Sequence, residues 1–339
     1  MKSTEERVNP AVAAGLHRRK IVIPGGSGRL GRILAGAFRE RGDEVVVLTR
    51  RPVSERAVES RREDLLPIRE VHWDGRSRGS WEGEIDGADA VLNLAGRCVD
   101  CRYNKHNLEQ MLHSRVDSTR AVGRAIERSI RPPGLWLQMS TATIYAHRMD
   151  APNDEATGVI GGFESGVPGY WRTSVNIALE WERAQAEAHV PGTRRIALRS
   201  AMVMSSQPGG AFLIFKRLAR LRLGGSIAGG RAFMSWIHER DFVRAIQFLM
   251  EHRELEGAIN LAAPEPLPQA EFMAALRDSM GIRIGLPATR AMVHLGASIL
   301  GSDPELILKS RRVIPGTLLA AGFAFDFPSW GQAARDLVA

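Results

Sequence analysis

The stretch Lys20–Arg51 constrains the fold more tightly than any other part of the chain. Ile21, Val22 and Ile23 form a short β-branched run that suits a buried strand. The run breaks into Gly25-Gly26-Ser27-Gly28-Arg29-Leu30-Gly31, then into a helical pattern from about Leu30 to Arg41 and a second apolar run, Val45–Leu48. Strand, glycine turn, helix and strand in this order make half of a mononucleotide-binding βαβ unit. Gly25 lets the chain turn sharply, Gly28 lets backbone approach a pyrophosphate, and Gly31 lets the helix pack close to the strand. The helix N-terminus adds unpaired N–H groups and a partial positive charge for the phosphates. The spacing is G-x-x-G-x-x-G, so the predicted dinucleotide contacts come from Gly25, Ser27, Gly28, Arg29, Leu30 and Gly31.

The end of the second strand selects the cofactor. A carboxylate there would hold a ribose 2′-hydroxyl; this chain has Thr49, Arg50 and Arg51 instead. Guanidinium groups match a 2′-phosphate in geometry and charge, so Arg50 and Arg51 predict NADP(H). The competing reading is that two arginines merely end a strand in an arginine-rich chain. A third strand is expected at Glu70–Asp74, where Asp74 either accepts from an adenine amino group or forms a turn before Gly75. A fourth runs into Leu94, Ala95 and Gly96, small enough to let backbone lie against a dinucleotide. A helix over about Asn107–Arg128 and a fifth strand, Leu135–Met139, follow. The alternation predicts an α/β fold: a Rossmann-type, doubly wound parallel sheet with its ligand at the carboxyl ends of the strands. Ser140–Tyr145 sits at one such end.

The 339 residues suffice for a well-packed core, and the 44% apolar and 25% charged content is that of an ordinary globular protein. The net charge of +8 is nearly all arginine, since there are only five lysines. No aromatic-interleaved basic block accompanies it, so no nucleic-acid partner is expected. Residues 1–19 read as a polar leader without a signal-peptide core, and no long apolar run predicts a membrane span; a cytoplasmic protein is expected. Cys98 and Cys101 lack a second pair for structural zinc, so two loop thiols are expected and no metal site.

Further blocks make a resemblance specific. Asn93-Leu94-Ala95-Gly96, Ser114–Arg120, and Met234-Ser235-Trp236-Ile237-His238 followed by Asp241 resemble the extended short-chain dehydrogenase/reductase superfamily. More narrowly, these blocks resemble its atypical branch of nucleoside-diphosphate-sugar epimerase-like proteins. Ser310–Pro315 and Ala320–Phe323 resemble the small domain of unknown function that ends those proteins. The resemblance implies hydride transfer to or from a nicotinamide, with a Tyr-x-x-x-Lys pair doing acid–base work. This chain departs there. Its only tyrosines are Tyr103, Tyr145 and Tyr170, and four residues on stand Asn107, Met149 and Ser174. The helix expected over Trp171–Ala188 holds no lysine.

The remaining candidates are Thr141, at the superfamily's substrate-orienting position, and Tyr145 or His147 as proton donor. Cys101, Tyr103 and Arg231 are the expected substrate contacts, Arg231 as an anion clamp. The domain reading is a leader over 1–19, a nucleotide-binding domain over 20–205 and 236–262, and a smaller, discontinuous C-terminal substrate lobe over 206–235 and 263–339. Two or three short helices and a strand through Phe323, Phe325 and Phe327 are expected to close that lobe. The expected function is an NADP(H)-dependent oxidoreductase or epimerase acting on a small polar substrate, with a catalytically silent NADP(H)-binding sensor as the rival. Flanking helices often pair in that superfamily, which makes a homodimer the assembly to test.

Overall fold

A computed structural model describes residues 18–51 and 66–339; most of the expected leader and the charged stretch 52–65 lie outside the described residues. The chain opens with β1 (Lys20–Pro24), α1 (Arg29–Glu40), β2 (Glu44–Thr49), β3 (Arg69–His72), α2 (Glu82–Ile85) and β4 (Ala90–Asn93). Then come α3 (Lys105–Arg128), β5 (Leu135–Thr141), α4 (Trp171–Ala186), β6 (Arg194–Ser200), β7 (Met202–Met204) and α5 (Ala211–Arg220). Next are β8 (Phe233–Met234), β9 (Trp236–His238), α6 (Glu239–Glu251), β10 (Gly257–Leu261), β11 (Leu267–Pro268) and α7 (Gln269–Ser279). The chain closes with α8 (Arg290–Leu300), α9 (Glu305–Leu308), α10 (Gly316–Ala320) and α11 (Trp330–Val338).

Seven strands form one sheet in the order β10-β6-β5-β4-β1-β2-β3, with every neighbouring pair parallel. A parallel sheet is covered on both faces, which explains why Ile21, Val22 and Ile23 are all fully buried rather than alternating. Each such side chain contributes about 1.5–3 kcal/mol by leaving water. The winding reverses between β1 and β4, and the crevice at their carboxyl ends is where a ligand fits such a sheet. The expected α/β architecture is the observed one.

A second core lies beyond the sheet. Met204, Phe212, Phe215, Trp236, Phe272 and Trp330 pack together, and the Phe272 and Trp330 rings stack with centroids 3.9 Å apart. Met202–Met204 does not continue β6; it pairs with β9 and carries the chain toward this second core. Five helices follow β11 among the described residues, more than the sequence pattern suggested. The alternation of Phe323, Phe325 and Phe327 is not a strand. Phe323 packs edge-on against Phe248 in the sheet's core, Phe325 packs on Phe323, and Phe327 stacks on His238. The chain end thus returns to the nucleotide-binding core instead of staying in its own lobe. No described helix is long and apolar enough to cross a membrane.

Candidate active site at the carboxyl ends of β1, β4 and β5

The glycine turn has the geometry its spacing demands. Gly25 has φ +78°, which only glycine adopts without strain, and a Cβ there would stand 2.8 Å from the Ala95 backbone. A Cβ on Gly31 would fall on the Gly26 backbone, so helix α1 meets the turn itself more closely than the strand. Gly28 caps α1 with no side-chain partner, and the first turn carries no acidic residue. The Gly28 N–H donates to the Gly25 carbonyl at 3.0 Å, so the amides left to face an anion are those of Arg29, Leu30 and Gly31. Ser27 is engaged locally: its hydroxyl oxygen accepts from Thr49 Oγ1 at 3.0 Å, and Thr49 Oγ1 accepts from the Arg51 N–H at 3.2 Å. That bracket fixes the end of β2 and leaves Arg50 and Arg51 exposed beside the cradle. Leu30 packs into the sheet's core, so only its backbone is available to a cofactor.

Arg29 bends over the loop against Gly210, with Nη1 buried and without a partner in the described residues. Burial lowers its pKa, opposed by Glu239. Asp74 resolves as a turn: its Oδ1 accepts from the N–H groups of Arg76 and Ser77, both at 2.8 Å. Those bonds hold its carboxyl below the ordinary value, and the expected adenine contact is not what occupies that oxygen. Leu94 and Ala95 lie against the glycine turn, where a Cβ on Gly25 would meet their backbone, while Gly96 stands beside the Arg115 side chain. Leu94 N–H donates to the Pro24 carbonyl at 2.9 Å, and Ala95 N–H to Asn93 Oδ1 at 3.1 Å.

Beyond β5 the three catalytic candidates separate. Thr141 is half-buried, and its Oγ1 accepts from Thr143 N–H at 3.2 Å, leaving its own proton to donate. Tyr145 is 2% exposed. Its hydroxyl donates to Asn260 Oδ1 at 3.0 Å and accepts from Arg199 Nη1 at 2.9 Å, while Arg199 pairs twice with Glu182. Burial raises its pKa despite the neighbouring guanidinium. This corrects the expectation that Tyr145 reaches the pocket mouth as a proton donor: both bonding directions are used inside the fold. His147 is half-buried against the Trp171 ring, with centroids 5.3 Å apart, and its Nδ1 accepts from the Ser310 N–H at 2.8 Å. Burial lowers its pKa, Lys309, Arg290 and Arg311 act in the same sense, and Glu164 opposes.

The substrate candidates also divide. Tyr103 packs beside Glu305 and Arg311, and burial raises its phenol well above the ordinary value. Cys101 Sγ contacts Met111 Sδ at 3.9 Å, and Cys98 is exposed; both are free thiols. Arg231 is exposed and makes no polar contact with the β5 loop. A cavity of about 430 Å³ lies nearby in the lobe rather than over the glycine turn, and Arg290, with Ser226 and Thr289, lines it. Lys309, Glu305, Arg311 and Arg290 are the residues sequence reasoning missed. The one signal was that Lys309 is among only five lysines and adjoins the Ser310–Pro315 block.

Residues 21–262 match the NAD dependent epimerase/dehydratase family, and residues 290–337 match the domain of unknown function DUF1731. The "Epimerase family protein SDR39U1" of Bos taurus is 28% identical over 327 residues, covering 94% of this chain and all of that protein. An "Epimerase family protein" of Mycobacterium leprae is 29% identical over 326 residues, covering 95% of this chain and 96% of its own length. The crystal structure of the human epimerase family protein SDR39U1 with NADPH superposes with a TM-score of 0.78 at 26% identity, covering 94% of this chain and 98% of that one. A nucleoside-diphosphate sugar epimerase from Corynebacterium glutamicum shares the fold, with a TM-score of 0.70 at 24% identity over 94% of this chain and 58% of its own.

Proposed function

The chain belongs to the NAD dependent epimerase/dehydratase family, and on that premise we propose that it binds NADP(H) and serves as an oxidoreductase or epimerase for a small polar substrate, such as a carbonyl compound or sugar nucleotide. The observation that carries this reading is the cradle. Gly25, Gly26 and Gly31 leave space that any Cβ would fill, α1 presents an uncapped N-terminus, and Arg50 and Arg51 stand exposed where β2 ends. The human relative crystallised with NADPH supports the choice of cofactor. When bound, the nicotinamide supplies or accepts the hydride. The chain's own groups bind and orient: the amides of Arg29, Leu30 and Gly31 take the pyrophosphate that Gly28 lets approach, Arg50 and Arg51 take the 2′-phosphate, and Ala95 and Gly96 bound the nucleotide. Thr141 donates to the substrate oxygen, and His147 adds a second donor at the same loop. Tyr103 borders the substrate space, and Arg290 replaces Arg231 as the cation facing it.

The test is a titration with NADPH and NADH, read by nicotinamide fluorescence, on wild type and Arg50→Ala/Arg51→Ala. Tight NADPH binding that collapses in the double variant supports the reading; binding of neither nucleotide refutes it. One observation favours the rival, a silent NADP(H)-binding sensor: the chain lacks Tyr-x-x-x-Lys, and Tyr145's hydroxyl is sealed. Oxidation of bound NADPH by any member of a carbonyl panel would exclude that rival. A homodimer would use the face between α3 and α4, where Leu108, Leu112 and Ile177 line a groove of about 440 Å³.

A further inference from the structure

Helix α4 carries no lysine, yet a chain of buried contacts leads from it to one supplied much later in the sequence. Ser174, four residues after Tyr170, donates through Oγ to Glu305 Oε2 at 2.7 Å. The other oxygen, Glu305 Oε1, has no hydrogen-bond partner among the described residues and lies 3.9 Å from Lys309 Nζ. Lys309 is 1% exposed, and its ammonium donates to the Thr143 carbonyl at 2.8 Å. Ser310 N–H donates to His147 Nδ1 at 2.8 Å, and Arg311 Nε donates to Thr143 Oγ1 at 3.1 Å. Three consecutive residues of the C-terminal lobe thus grip the loop that follows β5.

These contacts decide how His147 is protonated. A ring nitrogen that accepts a hydrogen bond carries no proton, so the neutral imidazole keeps its N–H on Nε2. A second proton would have to sit on Nδ1, facing the Ser310 N–H and within the field of Lys309, Arg311 and Arg290. Glu164 is the opposing charge, but its two oxygens already accept from the N–H groups of His147 and Gly162. Arg148 is turned onto Asp150, and Trp171 offers only its ring. Burial, above all, together with those cations, holds His147 below the ordinary imidazole value.

We propose that the C-terminal lobe supplies the cation missing from α4: Lys309 is the positioning charge of this site, and with the Ser310 N–H it keeps His147 a neutral Nε2–H donor aimed at a substrate oxygen. The proposal rests on the NADP(H)-dependent reading and narrows its substrate class. A neutral donor backed by buried positive charge stabilises an oxygen that becomes negative and disfavours a cationic substrate. The substrate is then a carbonyl compound or its alcohol, not an iminium ion or an amine. In the reducing direction a bound NADPH would supply the hydride, with its electron pair, to the carbonyl carbon. The C=O π pair moves to oxygen, His147 Nε2–H bonds that oxygen, and solvent supplies the proton. NADPH would be oxidised and the carbonyl reduced to an alcohol.

Nuclear magnetic resonance of the full chain, with labelled histidine and lysine, tests this without a substrate. His147→Gln identifies one signal among nine histidines. The expected result is an Nε2–H tautomer that titrates below 6.5. Lys309→Met should raise the proton affinity of His147 about three-fold or more, while Lys309→Arg leaves it low. A role in packing alone would shift melting temperature in both variants without splitting them in this way. Should Lys309→Met fail to fold, wild type still decides: among five lysines, one must titrate well below the rest, near 8. A proton on Nδ1, a Lys309 that titrates with the other lysines, or a His147 indifferent to Lys309→Met would overturn the proposal. If wild type instead binds no NADPH, the functional reading falls while the tautomer result stands on its own.

Discussion

Replacing Tyr145 by Phe separates a structural hydroxyl from a catalytic one. The ring keeps its shape and burial, so no cavity forms; only the oxygen is lost. Arg199 loses one acceptor but retains both bonds to Glu182, at 2.9 and 2.8 Å, so its share of the cost is small. Asn260 Oδ1 fares worse, because the tyrosine hydroxyl is its only donor among the described residues. A buried acceptor left unpaired costs about 1–3 kcal/mol. Taking about 2 kcal/mol, the folded-to-unfolded ratio should fall roughly thirty-fold. Urea unfolding followed by tryptophan fluorescence reads this as a lower midpoint at unchanged slope. NADPH affinity, measured alongside, should hold. The reasoning is refuted if the midpoint stays at the wild-type value while NADPH affinity or NADPH oxidation collapses, for then the hydroxyl faces the ligand after all.

Other outcomes follow from the same structure. Arg50→Ala/Arg51→Ala should weaken NADPH binding by about ten-fold or more, roughly 1.4 kcal/mol, and leave NADH binding nearly unchanged. Gly31→Ala places a methyl group on the Gly26 backbone, so soluble yield or NADPH binding should be lost, as dichroism and fluorescence titration would show. Lys309 is held near 8 by burial against 10.5 in an unfolded chain. Between those values the unfolded state binds more protons, so stability rises with pH across the window, by up to about 3 kcal/mol at 1.36 kcal/mol per pH unit. Urea midpoints should show that rise in wild type and not in Lys309→Met. Leu112→Arg, in the groove between α3 and α4, should convert a dimer to monomer in sedimentation analysis.

The nucleotide cradle was legible because glycine spacing and strand periodicity are local signals. Gly25, Gly31 and the β-branched run at Ile21–Ile23 each require their conformation whatever the rest of the chain does. Element ends shifted by a residue or two, as at α3, where Asn104 caps the helix and starts it at Lys105 rather than Asn107. The misreadings arose where tertiary contacts decide. Tyr145 follows a strand end, as a pocket residue would, but its partners Arg199 and Asn260 lie 54 and 115 positions away. Phe323, Phe325 and Phe327 alternate like a strand because each finds a different ring to pack on. Lys309 and Arg311 stood among many basic residues, and nothing in their neighbourhood tells that they cross to Thr143, 166 and 168 positions earlier.

The grip of Lys309, Ser310 and Arg311 on the β5 loop also orders events in time. Proteins are made from the amino end, and their domains generally acquire structure in that order. The glycine cradle is complete once β4 has formed, yet the charge beneath His147 belongs to a segment made long after β4. A nascent chain that has emerged past β4 but not yet as far as Lys309 would hold the cradle and lack the completed loop. Translation itself then acts as a gate: cofactor binding can begin during synthesis, whereas competence at the β5 loop waits for residues 309–311 to emerge.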